Sequence, residues 1–254
     1  MASMKLSSKA ANLRDVLPWR DMYRHEMNCQ IVHDSLHSRQ GLTEEYCLCA
    51  GSTAVGYGSV AVGGPWKGKP TLYEFYVLPS HRLHVFELFR SLLAVSGAVA
   101  INAQSNDPLF TVMLHTFGRD VTNESILFHD RLKTALSPAG AAFRGATQAE
   151  FSDIQDDQLR WHGVVEVDGT VAATGGILFH YNRPYGDIYM DVAEPFRRRG
   201  LGSFLVQELK RVCYEGGSIP AARCGPDNVA SRCTLQKAGF VPCANILNAS
   251  VAPE

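Results

Sequence analysis

From Gly186 to Leu209 the chain reads GDIYMDVAEPFRRRGLGSFLVQEL, a combination of residue types suited to holding a phosphate. Alternation through Ile188, Met190 and Val192 reads as a strand, and Pro195 stops it. Phe204, Leu205 and Leu209 then recur at helical spacing. The turn Arg197-Arg198-Arg199-Gly200-Leu201-Gly202 therefore opens a helix, where unpaired N–H groups and the positive end of the dipole face outward. Glycines lack the Cβ that would hold an anion off the main chain, so the pyrophosphate of a nucleotide cofactor can approach, with arginines beside it.

A glycine pair after arginines also serves ordinary turns, so the downstream residues matter. Asn228-Val229-Ala230-Ser231 and then Lys237-Ala238-Gly239-Phe240 read as a short helix with a glycine C-cap, followed by a buried strand start. The paired motifs resemble the GNAT acyltransferase family, in which an R/Q-x-x-G-x-G/A turn holds the coenzyme A pyrophosphate and an Asn-led helix lies along the pantetheine arm. Arg197, Gly200, Gly202, Asn228, Gly239 and Phe240 match it, and the resemblance covers roughly Trp161 to Asn248. Within that span Gly163 to Val167 turns at Asp168-Gly169 into Thr170 to Ala173, a hairpin signal.

The resemblance implies an α/β (α+β) fold with a mixed, mostly antiparallel central sheet flanked by helices. It implies transfer of an acetyl group from acetyl-coenzyme A to a primary amine of a small molecule or peptide. For the donor it implies Arg197, Arg198, Arg199, Gly200, Leu201, Gly202 and Ser203 at the pyrophosphate, Met190 and Val192 at the pantetheine and acyl group, and Asn228 with Ser231 along the arm. Arg232 or Lys237 would meet the ribose phosphate.

Such a transfer needs a neutral amine, a polarised thioester carbonyl and a proton for the departing thiolate. Asp187, Tyr189 and Asp191 share one strand face by two-residue alternation, with Asp191 the first candidate for base and Asp187 the second. Glu194 and His180 are further candidates; each also suits an ordinary solvated or hydrogen-bonded side chain. The family commonly carries a tyrosine in an L-Y-x-K-x-G-F context near the end of the Asn-led helix. Here Leu235 stands at that position and cannot donate a proton, which leaves Tyr189, Tyr185, Cys233 or water. That departure keeps open a second reading, a silent acyl-coenzyme A-binding regulatory or partner-binding module.

The remaining composition is that of an ordinary globular chain of 254 residues, 46% apolar and 19% charged. A formal net charge of -1 gives no pull toward nucleic acid, so the arginine cluster is local equipment. The start, MASMKLSSKAANLRD, has no apolar core for a leader, and no window approaches the roughly eighteen apolar residues of a membrane span. Seven cysteines without ordered spacing point to reduced thiols and cytoplasmic residence, and Cys47 with Cys49 read as buried strand residues rather than metal ligands.

The first half repeats the pattern in degraded form, with strands over Glu45 to Cys49, Thr53 to Val62 and Leu72 to Pro79 before a helix. Aligning Val77 with Val192 sets Arg82 opposite Arg197, while Val85 and Glu87 replace Gly200 and Gly202. This half is therefore expected not to bind coenzyme A, and Asn106 with Phe117-Gly118 only loosely echoes Asn228 with Gly239-Phe240. The reading is two tandem halves, 1–140 shaping the acceptor site and 141–254 binding the donor, joined in the Ala/Gly/Pro-rich stretch Leu136 to Gly145. An unrelated N-terminal domain of generic strands and helices is the alternative. Leu17 to Ser38 has helical spacing with polar residues on one side, as for a groove-lining or plain surface helix, and the Gly63 to Pro70 loop is either a pocket border or an exposed turn.

Overall fold

A computed structural model describes residues 5–152 and 159–252. The chain forms two compact units, the first Met1–Glu124 with Asn245–Glu254, the second Ser125–Ala244. The division falls upstream of the Leu136 to Gly145 stretch, whose residues belong to the second unit.

The first unit contains β1 (Leu6–Ala11), α1 (Leu13–Met27), β2 (Thr43–Ala50), β3 (Thr53–Ala61), β4 (Thr71–Val77), α2 (Val85–Ser96), β5 (Ala100–Gln104) and α3 (Pro108–Phe117). Strand β6 (Gly118–Asp130) carries the chain into the second unit. There follow β7 (Ala141–Gly145), α4 (Gln148–Ser152), β8 (Leu159–Val167), β9 (Thr170–Leu178), β10 (Tyr185–Val192), α5 (Leu201–Glu215), β11 (Ile219–Cys224), α6 (Val229–Lys237) and β12 (Phe240–Val251), the last returning to the first unit from Asn245. Strand order is β1-β2-β3-β4-β5-β12 in the first and β6-β11-β10-β9-β8-β7 in the second. Pairing is mostly antiparallel, with parallel pairs at β4/β5 and β10/β11. This is the mixed sheet flanked by helices that the family resemblance implied.

Local chemistry sets the hairpins. Asp168 and Gly169, at φ 51° and 75°, make the left-handed two-residue turn that joins β8 to β9. The N-terminal helix differs from its sequence reading. It starts at Leu13 and stops at Asn28, whose φ of 44° is left-handed, and a separate 3-10 turn covers Asp34–Ser38. Asn28 hydrogen-bonds back to Arg24 O at 3.0 Å, a C-cap that breaks the run the spacing had joined.

Each unit buries its own core. In the first, Phe89 of α2 and Phe110 of α3 pack on Phe75 of β4, Phe75 and Phe89 meeting edge to face at 4.8 Å. In the second, Leu201, Leu205 and Leu209 lay one face of α5 on Ile177 and Ile188. No helix among the described residues is long and apolar enough to cross a membrane.

Candidate functional site

The parallel pair in the second unit is short. Tyr185, Gly186 and Asp187 face Ile219, Pro220 and Ala221, and beyond them β10 continues to Val192 paired with β9 alone. The Ala193 N–H donates to Ala172 O on β9 at 3.0 Å, so by alternation the N–H groups of Met190 and Val192 face the open side. Strand separation thus exposes main-chain donors at the end of β10.

Those donors border a cavity of about 630 Å³, closed by the Arg197–Ser203 turn on one side and α6 on another. Met190, Asp191 and Val192 line it from β10, Arg197, Arg198, Gly200, Leu201, Gly202 and Ser203 from the turn, and Asn228, Ser231, Thr234 and Lys237 from α6. Nearly all the donor-binding residues read from sequence are brought together there. Arg199 is the exception among them: its guanidinium carbon lies 5.5 Å from the Phe196 ring centroid, stacked on the turn outside the cavity lining.

The turn is shaped for an anion. Arg198 and Gly200 take left-handed φ values of 62° and 80°. The helix claims its first hydrogen bond at Phe204 N to Gly200 O, 3.0 Å, which leaves the N–H groups of Leu201, Gly202 and Ser203 without helical partners. A Cβ on Gly202 would sit 3.1 Å from Val192 Cγ2 and 3.2 Å from Thr234 Cγ2, so only glycine leaves this floor open. Arg197 donates from Nε to Val192 O at 3.0 Å, and Ser203 spends its hydroxyl on Thr234 O at 3.1 Å, tying α5 to α6. Lys237 stands over the turn, its Nζ 3.6 Å from where a Gly200 Cβ would be. These features fit a pyrophosphate. Of the two residues considered for a ribose phosphate, Lys237 lines the cavity, whereas Arg232 donates to Pro226 O at 3.4 Å.

The three candidate catalytic side chains part company. Asp191 is exposed and lines the cavity. Tyr189 does not: its hydroxyl meets His162 Nδ1 at 2.9 Å, reaching across β9 to β8 over Gly176, where any Cβ would collide with the Tyr189 ring at 2.9 Å. Burial holds His162 below its ordinary pKa, so the ring is neutral and the pair is a plain hydrogen bond. Asp187 is buried beside Arg223 and His180, with ion-pair separations of 3.8 and 3.7 Å, and with the interior hydroxyl of Tyr181, which burial and this carboxylate push well above its usual pKa. Leu235 is 2% exposed and packs in the core.

Sequence reasoning missed Thr234 and His162. Thr234 follows Ala230 and precedes Lys237 at helical spacing, a signal that was present; His162 meets Tyr189 only through a cross-strand register that no local pattern reveals.

The family model for GNAT acetyltransferases matches residues 129–240. These residues form a GNAT acetyltransferase domain. No curated protein matches the chain. Among solved structures, a GNAT-family acetyltransferase from Colwellia psychrerythraea superposes with a TM-score of 0.74 at 15% identity, covering 97% of this chain and 100% of its own. A tandem GNAT protein from the clavulanic acid biosynthesis pathway gives 0.64 at 16%, covering 99% and 100%. A GCN5-related N-acetyltransferase from Sphaerobacter thermophilus gives 0.62 at 13%, covering 98% and 96%. At these identities the likeness is one of fold. The GNAT domain contains every residue of the cavity.

Proposed function

We propose that the GNAT domain binds acetyl-coenzyme A in this cavity and transfers its acetyl group to a primary amine of a small molecule or peptide. The observation that carries the reading is the left-handed Gly200 turn, with three unclaimed N–H groups beside the main-chain donors of Met190 and Val192. Bound acetyl-coenzyme A supplies an activated thioester. Leu201, Gly202 and Ser203 hold its pyrophosphate through N–H groups, with Arg197, Arg198 and Lys237 adding charge. Asn228 uses its Oδ1 to cap α6 on Ser231 N at 2.9 Å, so its amide Nδ2 is the group that faces the pantetheine arm. Met190 and Val192 N–H groups polarise the carbonyl, Asp191 takes the amine proton, and Cys233, exposed in the cavity wall, or water returns one to sulfur.

The first unit has the frame without the cradle. Its β4/β5 parallel pairing also stops early, at Leu72 and Ile101, but the chain passes from a 3-10 turn straight into α2 at Val85, φ -61°, with no left-handed residue. Arg82 is engaged by Glu26 at 2.6 and 2.8 Å, and the cavity beside it holds about 100 Å³. We therefore assign one donor site per chain, the first unit being a vestigial GNAT half. The free cysteines support activity in the reducing cytoplasm. Calorimetric titration with acetyl-coenzyme A tests this: one site per chain supports it, two sites refute a vestigial first unit, and no binding refutes the enzyme.

A further inference from the structure

The first unit holds a further cavity, of about 440 Å³, which shares no lining residue with the cavity of the GNAT domain. Its floor is a stretch of sheet that carries amides where an apolar face would be ordinary: Asn102 of β5 is 5% exposed and directly opposite Asn248 of β12. A buried amide needs partners, and Asn102 finds them in the half-buried Asn248 and in one carboxylate. Asn102 Nδ2 donates to Asn248 Oδ1 at 2.7 Å and to Glu124 Oε2 at 3.0 Å, and Asn248 Nδ2 donates to the same Glu124 oxygen at 2.7 Å. One oxygen of Glu124 is thereby fixed by neutral groups, while its charge and its second oxygen are left to the cavity.

The walls add to this bias. Asp120 of β6 and Lys69 also line the cavity, so two carboxylates face one ammonium and the lining is net anionic. Trp66 lines it too, presented by the Gly64–Trp66 turn and braced edge-on by His33 at 5.8 Å; His33 in turn stands edge-on to Tyr73 at 6.0 Å. Fixed acceptors, uncompensated negative charge and an indole together favour a cation with a carbon body over an anion or a neutral polyol. We propose that this cavity binds a small organic cation of the primary-amine class, its ammonium on Glu124 and its body against Trp66.

The test is calorimetric titration of the full chain, free of acetyl-coenzyme A, with 2-phenylethylamine, glucosamine and putrescine, each beside its fully N-acetylated neutral derivative. The expected result is one site for at least one amine, with its neutral derivative at least about tenfold weaker. E124Q should weaken the amine by a similar factor, as should W66A where circular dichroism confirms its fold. E124Q alters an exposed side chain and carries the test if W66A does not fold. No amine binding at millimolar concentration, equal binding of the neutral derivative, or undiminished binding by E124Q would overturn the proposal. G202E, directed at the other unit, should leave amine binding unchanged; a parallel acetyl-coenzyme A titration reports that cavity separately, so either reading can fail alone.

Discussion

Arg197 donates its Nε to the main-chain oxygen of Val192 at 3.0 Å, five residues back along the chain. The first unit repeats the relationship, Arg82 Nε to Val77 O at 3.1 Å. The same lock stands at the corresponding strand end in both units. The arginines differ in what remains for a ligand, because Arg82 Nη2 donates to both carboxylate oxygens of Glu26. Replacing Arg197 with Met should raise the KM for acetyl-coenzyme A about tenfold, roughly 1.4 kcal/mol. Arg82→Met should leave that KM unchanged and cost less than about 1 kcal/mol of stability, as for a partly exposed ion pair. Steady-state kinetics and urea melts of the two variants decide the point; equal effects on KM would remove the distinction.

The turn itself gives a graded series. Gly200→Ala forces a side chain into φ 80°, at a cost of roughly 1–2 kcal/mol, and should weaken donor binding modestly. Gly202→Ala presses Val192 and Thr234, which must then give by a few tenths of an ångström, whereas Gly202→Glu copies the first unit and fills the floor with the wrong charge. Acetyl-coenzyme A affinity should fall in the order wild type, either alanine variant, Gly202→Glu, the last below detection. Measurable binding by Gly202→Glu would relocate the pyrophosphate.

Much of this was legible because it is local. The turn, the Asp168-Gly169 hairpin and the Asn228 cap each declare themselves within a few residues, and all form where the pattern puts them. What escaped depends on neighbours far along the chain. Asn106 was set against Asn228, yet the residue that caps α3 is Asp107, which accepts from Phe110 N at 2.9 Å and from the Tyr23 hydroxyl at 3.0 Å; Pro108 behind it fixes the helix start. Asn106 instead donates to Cys29 Sγ at 3.2 Å. A one-residue offset is invisible to spacing, and so is the inward turn of Arg20, a charged residue of the N-terminal helix that is buried beside Glu74.

The strand face bearing Asp187, Tyr189 and Asp191 separates by partner. Asp191→Asn should lower turnover by about a hundredfold with little change in acetyl-coenzyme A KM, the scale of a lost general base. Tyr189→Phe should keep turnover within about threefold and cost about 1 kcal/mol of stability, because its hydroxyl is spent on His162. A collapse of turnover in Tyr189→Phe, with the fold intact, would return that hydroxyl to the reaction.

The His162–Gly176–Tyr189 row of the second unit has a counterpart in the first, since aligning Val77 with Val192 places Glu45, Ser59 and Glu74 in the same cross-strand row. There the row is filled by ions. His37 bridges Glu45 at 2.9 Å and Glu74 at 3.0 Å; Ser59 hydrogen-bonds Glu45, Tyr57 donates to Glu74 at 2.8 Å, and Arg20 lies 3.4 Å from Glu74. Burial opposes charge on His37, but Glu74 and the hydrogen bonds His37 donates to both carboxylates outweigh it and raise the pKa from 6.5 to about 9. Burial likewise opposes charge on Glu74, and His37 with Arg20 overcomes it, bringing that pKa down to about 2. A raised histidine binds its proton more tightly folded than unfolded, so its contribution is complete below pH 6.5 and drains away as pH climbs through about 9. Glu74 works in the other direction, contributing above pH 4.5 and losing its share as pH falls toward 2. His37→Gln should cost about 3 kcal/mol at neutral pH, because it removes the cation that bridges two buried carboxylates, and should flatten the decline in urea midpoint between pH 6.5 and 9. A variant whose midpoint falls in parallel with the wild type would mean that another group titrates, and that the ion-filled row is not what holds α1 and the Asp34–Ser38 turn to the sheet.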